Sequence, residues 1–179
     1  MKLGPPDPRS RVGPGSRAPL ARPGPAGYDA HLPDEPEGRA MQTKLELGEQ
    51  EAALAITTIR EELVRRGKVA VIAVSDSHGE LVSLLRMDGA PLPSVLVATR
   101  KCLTAARERA ATFDVGQGFK SNGWQLSNSD PAFTGWGGGV PVRVKGEVVG
   151  AIAVSGLSQE EDAELAELGG ARIVASVGG

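Results

Sequence analysis

Few side chains in this sequence combine a reactive group with a neighbour that could use it. Arg86 and Asp88 flank Met87, Lys101 directly precedes the one cysteine, Cys102, and Ser155 lies in "AVSG". Arg86 and Lys101 are the cations suited to the carboxylates of a planar ligand, Arg as a bidentate fork and Lys as a point charge. Asp88, Lys101 and Ser155 form a candidate acid–base set, because burial tunes an Asp or a Lys toward neutral pH, where proton transfer is efficient. The plainer reading of these charges is a salt bridge from Asp88 to a neighbouring base.

Metal and nucleophile chemistry find little support. Zinc takes three or four Cys and His ligands. The chain has one cysteine and two histidines, and His31 lies in a Pro-rich segment. His78 sits in "DSHG", either as a solvated turn residue or as the single axial imidazole that haem iron takes from a protein. No GxSxG surrounds Ser155, so a triad with His78 as its base lacks the strand–turn–helix that exposes a nucleophile. Cys102 reads as a small apolar filler on a helix. The run Gly137-Gly138-Gly139 is followed by "VPVRV", a strand, and not by the GK[ST] and helix of a phosphate loop. Gly138 and Gly139 therefore mark a bend, or the close approach of a backbone or a flat ligand.

The elements that must position these residues follow from periodicity. Leu45, Ala52, Ile56, Ile59 and Leu63 recur at helical spacing and Gly67 ends the run. "KVAVIAVS", "DSHG" and "ELVSLLRM" predict a hairpin over Lys68–Met87. A second helix is expected over about Pro93–Thr112, its alanines allowing close packing on a sheet. Phe113–Thr134 has weak periodicity and reads as loop with one short element. Gly139–Lys145 and Glu147–Ser155 predict a second hairpin across Lys145-Gly146. A final helix is capped by Ser158, with Glu161 completing a capping box. Two hairpins with intervening helices imply an α+β domain with an antiparallel sheet.

Composition bounds the rest. The first 40 residues hold nine of thirteen prolines and few large apolar side chains, so they are expected to be a disordered tail, with Met41 as a natural start and residues 41–179 as one domain. A net charge of −2, from 20 basic and 22 acidic residues, supplies no field for nucleic acid or an anionic membrane. Aromatic residues are 3% of the chain, too few for a base-stacking platform. No apolar run reaches the length of a membrane span, and a cytoplasmic protein is expected.

Three motifs in order carry a resemblance. Asp76, Gly79, Leu81 and Val82 lead into "RMDGA" at Arg86–Ala90, followed by Lys101, Thr104 and Ala105, with Cys102 where alanine is usual. Gly138, Gly139, Pro141 and Val142 then precede "GAIAVSG" at Gly150–Gly156. From about Leu45 to Val177 the chain resembles the GlcG/HbpS-like or haem-degrading domain family, which is related to the C-terminal domain of some cobalamin adenosyltransferases. The resemblance implies a profilin-like fold with a five-stranded antiparallel sheet between helices, often a homo-oligomer. It also implies a haem-binding, in some members haem-degrading, protein, with haem as cofactor, Arg86 or Lys101 on the propionates and His78 or another residue near iron. Two other functions stay open. One is an enzyme on a small oxygenated metabolite such as a hydroxy acid, using Asp88, Lys101 and Ser155 around a pocket at Phe113–Thr134. The other is a non-catalytic oligomeric accessory protein.

Overall fold

The computed structural model describes residues 43–178. The Pro-rich segment with His31 lies outside the described residues. Helix α1 (Glu49–Arg65) buries Ala52, Ala55, Ile59 and Leu63 along one face. It starts later than the periodicity suggested. The Glu51 carboxylate accepts the Gly48 N–H at 3.1 Å and sets the first turn there. Leu45 is left outside the helix and exposed, and Leu47 enters the core in its place.

Strands β1 (Val71–Asp76) and β2 (Leu81–Arg86) form the expected first hairpin. Asp76 Oδ1 closes its turn by accepting the N–H groups of His78 at 2.8 Å and Glu80 at 2.9 Å. Helix α2 (Ser94–Glu108) follows. Strands β3 (Gly139–Val144) and β4 (Glu147–Ser155) form the second hairpin. Lys145 and Gly146, at φ 51° and 85°, give its turn the two positive φ values of a type I′ connection. The chain ends in α4 (Gln159–Val177), where Ser158 Oγ accepts the Glu161 N–H at 3.2 Å. The Glu161 side chain pairs with Lys68, so the capping box is only half formed.

The strands order as β2-β1-β4-β3, all antiparallel. The described sheet has four strands, which corrects the expected five. The segment before α1 reaches β4 through one backbone hydrogen bond, from Leu47 N–H to the Val149 carbonyl at 2.8 Å. A strand needs a repeated ladder, and at Val149 the β3–β4 register is itself shifted by a bulge. A second departure is the stretch 113–134. It contains a ten-residue helix, α3 (Thr112–Ser121), and a 3₁₀ turn at Leu126–Asn128.

Strand alternation divides the core into two layers. Val71, Ala73, Ala151 and Ala153 face α2, meeting Ala98, Cys102, Ala105 and Ala106. These small residues let the helix lie close to the sheet. On the other face Ile72, Val74, Ile152 and Val154 pack with Ile59 and Leu63 of α1 and Leu165 and Ile173 of α4. No helix among the described residues is long and apolar enough to cross a membrane.

Candidate functional site

Beyond the free edge of β3, the stretch between α2 and β3 folds back on itself. The backbones of Gly116 and Gly135 touch so closely that a Cβ on Gly116 would lie 2.7 Å from the Gly135 carbonyl oxygen. Helix α3 buries Thr112 and Val115 and leaves Phe113, Gln117 and Lys120 outward. The result is an open groove of about 640 Å³ bordered by Phe113, Phe119, Trp124, Leu126 and Trp136, with Lys120, Gln117 and Gln159 as its polar side chains. That volume falls in the ~300–1,000 Å³ range of small-molecule and cofactor sites.

The chain has two Trp, three Phe and one Tyr, and four of these six rings line this one groove. Phe119 and Trp124 meet edge to face at 6.5 Å between centroids, yet Trp124 is 72% and Trp136 62% exposed. Large aromatic surface left in water and gathered in one place marks a binding surface. The far wall is held from α4, where Gln159 Oε1 accepts the Gly137 N–H at 2.7 Å.

Close to that wall lies a buried ion pair. The Lys101 ammonium donates to Asp162 Oδ2 and to the Val154 carbonyl, both at 2.9 Å. Asp162 Oδ1 accepts the Leu157 N–H at 3.2 Å. Their side chains are 2% and 3% exposed. Burial lowers the Lys101 pKa and raises that of Asp162, while their contact opposes both shifts. The pair joins α2 and α4, which cover opposite faces of the sheet, by passing Gly138. A Cβ there would lie 2.6 Å from Asp162 Cβ and 2.7 Å from Lys101 Nζ, and one on Gly139 would lie 2.7 Å from the Lys101 carbonyl oxygen. On the side where a Cβ would stand, what approaches Gly138 and Gly139 is thus protein.

The other expected site residues are dispersed. Arg86 and Ser155 both pair with Val71, so they share one end and one face of the sheet. Ser155 is buried, whereas Arg86 and Asp88 are exposed without ion-pair partners among the described residues. None of Asp88, Lys101 and Ser155 lines the groove. His78 lies at the opposite end of β1, about 17 Å from the Arg86 row at one strand rise per residue. It is 65% exposed, and its Nδ1 lies 3.6 Å from Glu46 Oε1. With Asp76 these two offer ligand atoms within 4.8 Å of one another. Cys102 donates to the Ala73 carbonyl at 3.0 Å, and burial pushes its thiol up to about 12, which matches the filler reading. Asp162, Gln159, Lys120 and the two tryptophans escaped the sequence reading. Asp162 was one acid among several in the first turn of a helix, and the tryptophans were few enough to be set aside.

An α+β domain with an antiparallel sheet between helices and an aromatic groove at its edge defines the class. A family model described as "Haem degrading protein HbpS-like" matches residues 47–171, and the chain belongs to that family. Protein GlcG of Escherichia coli K12 is 35% identical over 118 residues, covering 64% of this chain and 85% of GlcG. The crystal structure of HbpS aligns with a TM-score of 0.68 at 30% identity, over 75% of this chain and 94% of HbpS. A crystal structure of a PduOC–heme complex aligns with a TM-score of 0.65 at 25% identity, over 72% of this chain and 95% of that one.

Proposed function

We propose that this protein binds haem, and that the aromatic groove at the β3 edge is where it does so. The observation that carries this reading is the convergence of Phe113, Phe119, Trp124 and Trp136 on one open groove in a chain otherwise almost free of aromatic residues. Membership of the HbpS-like family and the likeness to a heme complex support it. The fit holds for the macrocycle, a flat apolar body that ring faces pack well. No His, Cys, Met or Tyr lines the groove, so the side chains there hold the ring and its carboxylates and offer iron none of its common axial ligands. When bound, haem would supply one-electron and dioxygen chemistry at its iron. Haem degradation is the finer activity within the same reading, as are a profilin-like classification, a cytoplasmic location and assembly as a homo-oligomer.

In this proposal Lys101 acts at a distance, its pair with Asp162 fixing the Gly137–Gly139 segment against which Gln159 is held. Arg86 and His78 belong to other parts of the surface of one chain. Hemin titration of the full chain, followed by Soret absorbance and tryptophan fluorescence, is the test. A saturable Soret shift with tryptophan quenching is expected. Trp124→Ala with Trp136→Ala should weaken binding at least tenfold, since each aromatic contact of this kind contributes about 1 kcal/mol, and His78→Ala should leave it unchanged. No saturable shift, or a shift that His78→Ala abolishes and the tryptophan variants do not, overturns the proposal.

A further inference from the structure

The one charge of the groove is positive. Among the residues bordering it, Lys120 is the one ionisable side chain and no carboxylate is present. Lys120 is exposed on the last turn of α3 and has no ion-pair partner among the described residues. The acids nearest in sequence are engaged or face elsewhere. Asp130 pairs with Arg107, and Asp114 borders two other grooves. Gln159 adds to the same bias. Its carbonyl oxygen accepts the Gly137 N–H, and both N–H groups of its amide stay available as donors. The ring faces of Trp124 and Trp136 carry negative quadrupole potential and repel an anionic group laid over them.

A ligand matched to this arrangement has a flat conjugated body for the rings and carboxylates confined to the margin that meets Lys120. We propose that Lys120 is the specificity residue of the groove, selecting planar ligands that carry carboxylates over those of the same shape that lack them. This inference rests on the haem reading and assigns the propionates to Lys120, not to Arg86 or Lys101. Because Lys120 is solvated, its contribution is modest and sensitive to salt.

The experiment compares hemin with hemin dimethyl ester, which keeps the ring and iron but has no carboxylate. Both are titrated into wild type, Lys120→Met and Lys120→Arg at low and at high salt. Wild type is expected to bind hemin about fivefold tighter than the diester, with the preference shrinking as salt rises. Lys120→Met should lose about fivefold for hemin and nothing for the diester, and Lys120→Arg should restore the preference. If Lys120→Met binds hemin as wild type does, or weakens both ligands equally, the assignment of Lys120 is wrong while haem binding stands. If neither ligand binds, or the tryptophan variants leave both unaffected, the haem reading falls and this inference with it. Lys120 is exposed, so an unchanged urea midpoint will show that the variants are folded.

Discussion

Removing one member of the Lys101–Asp162 pair should cost more than any other single polar change in the described domain. At 2.9 Å and an effective dielectric constant of about 20, the two charges attract by about 6 kcal/mol. Stripping water from both ions opposes this by several kcal/mol, so the intact pair contributes little net stability. Lys101→Met leaves a buried carboxylate with backbone N–H groups alone, and Asp162→Leu leaves an ammonium with only the Val154 carbonyl. Each is expected to destabilise by about 3–5 kcal/mol, while the double variant, which buries no net charge, should cost no more than either single one. Urea unfolding measures this, the midpoint falling with m unchanged.

The Lys101→Met loss should also depend on pH. The folded-state pKa of Asp162 is raised, so its protonated form favours the fold. Stability is then fullest below the ordinary carboxylate pKa of 3.8 and declines as pH rises through the folded value. Removing Lys101 takes away the contact that opposes this shift, so the folded-state pKa of Asp162 rises further and the gap from wild type should widen from acid to neutral pH. Single-variant costs below about 1 kcal/mol, or costs that add within about 0.5 kcal/mol, would refute the claim that the two ions act as a buried unit.

Gly138→Ala should destabilise by about 3 kcal/mol or more, through its φ of 112° and the clash of a Cβ with Asp162 and Lys101. A urea midpoint equal to wild type would contradict the close packing at this position. The Cys102 thiol, pushed up to about 12 by burial, should resist a thiol-specific reagent at pH 8 in the native state and react fully in denaturant. Fast native labelling would show α2 to be detached from the sheet. Glu62 accepts hydrogen bonds from Arg65 and Arg66, which hold its pKa down to about 2 from 4.5. Its share of stability is therefore present above 4.5 and lost as pH falls toward about 2. A carboxyl NMR titration should place the midpoint near 2, rising in Arg66→Gln, and an ordinary carboxylate midpoint would show these surface contacts to be transient.

Both hairpins formed where alternating β-branched runs met "DSHG" and Lys145-Gly146, and Ser158 capped α4, because each signal acts among residues a few positions apart. Helix α3 was illegible for the same reason. Its buried face is only Thr112 and Val115, Gly116 and Gly118 weaken its propensity, and its placement depends on the distant contact with Gly135. The fifth strand failed because one hydrogen bond at Leu47 is not a ladder, which no local pattern reveals. At the site the contrast is sharper. Lys101 stood out by motif, but its partner Asp162 lies 61 residues away, and Phe113 and Trp136 converge only because the chain returns across the edge of β3. Local periodicity and turn chemistry specify the elements and the order in which they come. Which side chains share a groove, and which ions lose their water together, depends on how the layers pack, because burial and distance belong to pairs that the chain does not keep near one another.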